Sequence, residues 1–281
     1  MTSELSSSEL IHAIEENRLQ AFSTLGQVPG GRLLATDEMV KVIPPIQVAV
    51  PLCAWVFNAT LSESRTEGEV HEVIGFFQRL GIPFGWTTGP STRPRDLSSV
   101  LEARGIEHLV DVAGMALDLD ELDRPEVPRG LVTRKVRTRH DVRAWACAFR
   151  EGFGLPEGSE TGIAELIGAA WEHSRGTWHH YVGTLDEIPV GSSSMYLDQG
   201  VAGIYFVGTV PSARRRGIGT WMTFLALQDA RELGTGWSVL HASPLGRGLY
   251  ARLGFEEYCT LGIYMWGLGG DESSGLAFLG S

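Results

Sequence analysis

Residues 202–210 (AGIYFVGTV) form a nearly continuous apolar run that passes directly into PSARRRGIG and then into an amphipathic stretch beginning TWMTFLAL. A run of strand length without polar alternation reads as a strand covered on both faces, and the segment behind it as a turn feeding a helix from 217 to 233. Glycines at 217 and 219 let the main chain approach an anion closely. The unpaired N–H groups of a first helical turn, at its positive end, point outward toward such a group. Arg214, Arg215 and Arg216 add local positive charge. Strand, arginine cluster, glycine turn and helix together predict a site for a pyrophosphate.

Composition decides what kind of protein surrounds that turn. The chain has 281 residues, enough for two domains of about 100 to 150 residues each. Hydrophobic residues at 43% and charged residues at 20% exclude disorder and fibre. Twenty-three basic against 34 acidic residues give a net charge of −11, so no broad basic surface is available for nucleic acid. Cys53, Cys147 and Cys259 are odd in number and widely spaced, with no C-x-x-C pair. They read as three buried thiols in a reducing compartment, not as a disulfide framework or a zinc site. The N-terminus is polar, with no basic region ahead of an apolar stretch, and nowhere do 18 consecutive apolar residues occur. A cytoplasmic protein with no metal and no membrane partner is expected.

Periodicity divides the chain in two. The first half predicts a helix over 9–22, one or two short strands within 46–61 around Pro51, a helix over 69–80 stopped by Gly81, a strand over 82–88, and a helix from Asp96 to Arg104. Within the acidic, proline-containing stretch LDELDRPEVPRG, residues 121–130 read as a linker between a domain over 1–120 and one over 131–268. The second half predicts a strand over 132–137, helices over 140–152 and 162–173, strands over 178–185, 189–197 and 202–210, the helix over 217–233, a strand over 237–242, a short helix over 246–253 and a strand over 256–266. Residues 269–281 read as a flexible tail. The fold class is α/β: two domains, each a mixed, mostly antiparallel sheet flanked by helices.

The pattern R-x-x-G-x-G at Arg214–Gly219, preceded by Val210 and Pro211, resembles the acetyl-CoA signature of the GCN5-related N-acetyltransferase (GNAT) superfamily. A second stretch, ASPLGRGLYARLGF at 242–255, is similar to that superfamily's downstream motif. Together the motifs cover about the last half of the chain. The resemblance implies acetyl-CoA as co-substrate, with its pyrophosphate on Arg214, Arg215, Arg216, Gly217, Ile218, Gly219 and Thr220, and Val210 leading into the turn. It places the acyl chain and pantetheine arm beside Phe206, Val207 and Gly208, where two parallel strands splay apart, and Ser243 beside CoA or an ordered water. Tyr250 falls on the family's general-acid position. A phenol within hydrogen-bond reach can protonate a departing thiolate, whose free thiol has a pKa of ~8.5. Gly246-x-Gly248-x-x-Ala251 also satisfies a dinucleotide-binding pattern, but too little chain follows it to complete a βαβ unit.

Two features depart from that resemblance. Family members often carry a glutamate on the fourth strand as general base, and residues 202–208 contain no carboxylate. Asp198, Glu256, Glu257, His179, His180 and His241 are the candidates, beside deprotonation through water. The first half also echoes the second at an offset of 149. Arg65 and Gly68 stand where Arg214 and Gly217 do, while Glu67 replaces Arg216, Val70 replaces Gly219 and Leu101 replaces Tyr250. A degenerate N-terminal copy, without the charge and the acid the chemistry requires, is expected.

The expected activity is acetyl transfer to the primary amine of a small molecule or peptide by direct attack in a ternary complex, carried out by a monomer or homodimer. The alternative is a non-catalytic acyl-CoA-binding sensor or scaffold. A tandem transferase of the peptidoglycan-bridge type is disfavoured by the acidic charge if its donor is tRNA.

Overall fold

The computed structural model describes residues 5–45, 53–174 and 176–267. It begins with α1 (Ser7–Gln27), capped by Ser6, whose side chain accepts from the Glu9 N–H while Glu9 reaches back to the Ser6 N–H. The helix is longer than the 9–22 span expected because capping starts it early and its C-terminal third is buried. The first half continues with β1 (Arg32–Ala35), β2 (Val40–Ile43), β3 (Ala54–Phe57), α2 (Thr66–Leu80), β4 (Phe84–Thr88), α3 (Leu97–Ala103) and β5 (Glu107–Asp118). The second half comprises β6 (Val132–Lys135), α4 (Arg139–Gly152), α5 (Glu160–His173), β7 (Trp178–Leu185), β8 (Ile188–Asp198), β9 (Val201–Thr209), α6 (Ile218–Glu232), β10 (Trp237–Ala242), α7 (Arg247–Arg252) and β11 (Glu256–Trp266). No helix among the described residues is long and apolar enough to cross a membrane.

All eleven strands join one mixed sheet in the order β1-β2-β3-β4-β11-β5-β10-β9-β8-β7-β6. Its two parallel contacts, β3 with β4 and β9 with β10, occupy equivalent places in the two halves. The centre is an exchange of strands. β11, last in the chain, lies between β4 and β5, and β5, from the first half, lies between β11 and β10. The offset noted in the sequence holds here: β11 starts at Glu256 and β5 at Glu107, and 256 − 107 = 149.

Helices α1, α4 and α5 cover one face over a single core that spans both halves, including Ile14, Phe22, Trp55, Val112, Phe149 and Ile263. The other face carries two separate cores. One lies under α2 and α3, around Phe77 and Trp86, and the other under α6, around Met195, Met222 and Leu240. Helix α1 thus packs on strands of the second half. At Gly203 on β9 any Cβ would fall on the Asn17 side-chain oxygen, so glycine is what lets α1 lie this close.

Several expectations change. β1, β2 and β5 were not anticipated. β1 and β2 are four-residue strands at the sheet's end, and β5 lacks a strong period-2 signal because its C-terminal half, Val112–Leu117, is buried on both faces. Within 46–61 one strand, β3, is described; Pro51 and the tail over 269–281 lie outside the described residues. In the stretch read as a linker, Leu119 and Leu122 are buried and the Leu119 N–H donates to the Gly236 carbonyl. Of the three thiols expected in the core, Cys53 is buried and Cys259 half-buried, but Cys147 is exposed on the outer side of α4.

His180 on β7 is buried between the rings of Trp145 and Trp178, at 5.3 and 5.5 Å, with Nδ1 2.7 Å from Ser194 Oγ. Burial pushes its pKa down to about 3. The unfolded chain's imidazole titrates near 6.5, so below that pH the unfolded state binds a proton that the folded state refuses. Stability from this group is complete above about pH 6.5 and falls by about 1.4 kcal/mol per pH unit on acidification. Unfolding followed between about pH 6.5 and 4 is expected to show that slope, reduced by one proton in His180→Gln. An unchanged slope in the variant assigns the proton uptake elsewhere.

Candidate active site

β9 and β10 pair only from Val201–Ile204 against Trp237–Leu240 and then diverge. The gap opens into a cavity of about 870 Å³. A β-bulge shapes its wall. Ser192 on β8 faces Gly208 and Ser194 faces Tyr205, so Phe206 and Val207 together span the place opposite Ser193. Phe206 takes φ of 54°, a left-handed conformation costly for a bulky residue. It is held there by the rings of Trp145, Phe149 and Trp178 at 5.4–6.0 Å. The alternation of faces breaks as a result: Tyr205 and Phe206 both enter the core beneath α1 and α4. The Ser192 hydroxyl donates to the Phe206 carbonyl at 2.9 Å, and the bulge leaves Phe206 and Val207 out of the ladder along the cavity wall.

At the head of α6 the N-cap is Gly217, with φ of 77° and no side-chain cap, two residues after Arg215 at φ of 60°. A left-handed residue within a turn aims successive N–H groups at one concavity, and the first-turn amides of α6 have no acceptor within the helix. Gly217, Ile218, Gly219 and Thr220 all line the cavity. Arg214 lines it too, but its guanidinium turns back: Nε donates to the Thr209 carbonyl at 3.2 Å and Nη2 to the Gly152 carbonyl at 3.0 Å. It therefore ties the turn to β9 and to the end of α4. Arg215 also faces the cavity.

Of the residues read from the sequence as the donor site, Phe206, Val207, Gly208, Arg214, Arg215, Gly217, Ile218, Gly219, Thr220 and Ser243 come together around this space, as does Tyr250. Val210 lies beneath the turn, buried, its N–H donating to the Val190 carbonyl, and Arg216 points into solvent away from the lining. Ser243 Oγ accepts from the Gly246 N–H at 3.2 Å and so shapes the loop that leads to α7. Tyr250 on α7 is half-buried, and burial pushes its phenol up to about 12, so it is protonated throughout the neutral range.

Among the six candidate bases only His241 reaches the cavity. Burial, then the charge of Arg18, hold its pKa well below the usual imidazole range, and both ring nitrogens are covered. Glu257 pairs with Arg247, Glu256 accepts from the Tyr258 hydroxyl, His180 is enclosed, and His179 and Asp198 lie outside the lining.

The sequence reading missed the opposite wall. Arg18 and Phe22 of α1, Trp55 of β3, Val112 of β5 and Ile263 of β11 close the cavity from the side of the first half and the exchanged strand. One signal was available: Leu10, Ile14, Arg18 and Phe22 recur every four residues, which puts a cation on an apolar helical stripe.

The counterpart turn in the first half is filled. Arg65 is held by Glu38 and Glu69, the Thr66 N–H donates to the Ser62 carbonyl, and Val70 and Leu101, at the positions of Gly219 and Tyr250, are fully buried.

The acetyltransferase (GNAT) family model matches residues 140–255, in the second half of the chain. Among solved structures, a GCN5-related N-acetyltransferase from Kribbella flavida superposes with a TM-score of 0.67 at 20% identity, over 90% of this chain and 96% of its own. One from Sphaerobacter thermophilus gives 0.60 at 17%, over 93% of each chain. A tandem GNAT protein from the clavulanic acid biosynthesis pathway gives 0.54 at 17%, over 85% of this chain and 81% of its own. These likenesses carry the tandem fold across most of the molecule. No curated protein matches the sequence.

Proposed function

We propose that the protein transfers an acetyl group from acetyl-CoA to a primary amine within a ternary complex. The carrying observation is the uncapped glycine turn of α6 opening on the β9–β10 gap beside Tyr250. The residues present suit the donor: free amides and Arg215 for a diphosphate, and an extended, bulged strand edge for the pantetheine arm, which pairs as an added strand does. The donor supplies an activated acyl carbon. Main-chain N–H groups freed by the bulge polarise its carbonyl. The amine nitrogen forms the new N–C bond as the C–S bond breaks, Tyr250 gives its proton to the sulfur, and the amine's proton leaves to water in the cavity, from which the Tyr250 phenoxide regains one. We assign that deprotonation to water because β9 offers no carboxylate and the ring nitrogens of His241 are covered.

Tyr250→Phe is expected to lower kcat by about 100-fold with the acetyl-CoA dissociation constant unchanged, read by free-thiol release and calorimetry. Because the phenol keeps its proton to about 12, the rate is expected not to decline through Tyr250 near neutral pH. The missing carboxylate also favours the second reading, an acyl-CoA-binding protein without turnover. Acetyl-CoA binding with no thiol release over a broad amine panel selects it.

A further inference from the structure

Resting on the transferase reading, we propose that Arg18 binds a carboxylate on the acceptor, so that the substrate class is amino-carboxylic acids and not simple amines. The cavity has two unlike ends. The end at the head of α6 is rich in amides and arginine; the other is apolar, walled by Phe22, Trp55, Val112 and Ile263, with one cation among them. The Arg18 guanidinium carbon lies 5.0 Å from the Phe22 ring centroid, 5.4 Å from Trp55 and 5.9 Å from Phe57. Rings support the charge through their faces but accept none of the five N–H bonds a guanidinium offers in its plane.

No acidic residue among the described ones pairs with Arg18, and its Nε is covered and without a partner. Glu15, three residues back on α1, is engaged by the Ser91 hydroxyl at 2.8 Å and main-chain N–H at 3.1 Å. A cation enclosed among aromatic rings without a counterion is costly unless something occupies its donors.

The charge to be matched is one. Tyr205, beside Arg18, carries its own proton and gives it to Asn17 Oδ1 at 2.7 Å, and His241 is neutral. Arg18 stands in the middle of α1, so neither end of that helix adds charge there. A single fork-shaped cation with apolar walls fits a carboxylate held through two parallel N–H bonds; a phosphate dianion would leave charge unmatched. The amine of the same molecule is then directed along the cavity toward the bulge at 206–208.

The test uses the full chain with L-amino acids and ω-amino acids, each beside its neutral amide, assayed by thiol release and by calorimetry on CoA-saturated protein. The acid of at least one pair is expected to exceed its amide by about tenfold or more in kcat/KM. Arg18→Gln and Arg18→Met are expected to erase that preference while acetyl-CoA affinity stays within about twofold of wild type. Should either variant fold poorly, the acid-to-amide ratio of the wild-type protein decides alone. Equal use of acid and amide, preference for the amide, no response to any acid, or a preference that survives in a folded Arg18 variant overturns the proposal. Failure of acetyl-CoA to bind overturns instead the donor reading on which it rests.

Discussion

Gly219→Glu is expected to abolish acetyl-CoA binding and leave the fold standing. Gly219 sits in the first turn of α6 with a negative φ, so a side chain is conformationally permitted. An added Cβ would meet Leu249 Cδ1 at 3.2 Å and Thr209 Oγ1 at 3.5 Å, contacts that a small shift of the leucine relieves. The carboxylate, however, would stand in the concavity proposed here for a diphosphate. Two like unit charges about 4 Å apart repel by about 4 kcal/mol at an effective dielectric near 20. After discounting for solvent at the mouth of the cavity, a loss of affinity on the order of 100-fold or more follows. Calorimetry with acetyl-CoA measures it, with Gly219→Ala as the steric control, expected to stay within about threefold of wild type. Native affinity in the glutamate variant would place the diphosphate elsewhere. The equivalent turn of the first half holds Glu67, Glu69 and a buried Val70, so no acetyl-CoA binding is expected there.

A second large effect is expected from Ile263→Pro. Ile263 lies in β11, is 1% exposed, and pairs with Thr87 on one side and Val110 on the other. Proline there removes a ladder donor in a central strand and a buried branched side chain. The cost is about 3 kcal/mol for the backbone and a further 1–3 for the lost packing. That approaches the whole stability of an ordinary domain. Because β4 loses its neighbour as well as β5, the damage is expected to cross into residues 54–88, although the substitution lies near the other end of the chain. Hydrogen exchange reads this directly: protection is expected to vanish together over β3, β4 and β10. Native protection retained by β3 and β4 would show that the first half stands without the exchanged strand.

The two walls of the cavity differ in how far the amino-acid sequence exposes them. The wall at the head of α6 is local. Arg214 through Thr220 occupy seven consecutive positions, and the turn they form is one that glycine spacing alone announces, so the turn is legible in the sequence. Val210 and Arg216 show the limit even there, since spacing does not say which neighbours face inward. The facing wall is assembled from Arg18, Trp55, Val112 and Ile263, brought together by long-range strand pairing. Each has a bland local context: Val112 and Ile263 look like any core strand residue, and Arg18 like a helical surface arginine until α1 is laid across β9 and β10. The strand exchange was hidden for the same reason. β5 and β11 carry equivalent positions of one repeated pattern, so either satisfies a half-sheet by its own periodicity, and only the assembled sheet reveals which half each one completes.

The exchanged strands also set a timetable for biosynthesis. When a ribosome has finished residue 118, the nascent N-terminal half still lacks the ladder that will lie against Phe84–Thr88, and that ladder ends 148 residues later, at 266. At about 5–20 residues per second the unsatisfied edge of β4 waits for roughly 7–30 s. Throughout that interval an unpaired hydrophobic strand is open to chaperones or to a neighbouring chain on the same message.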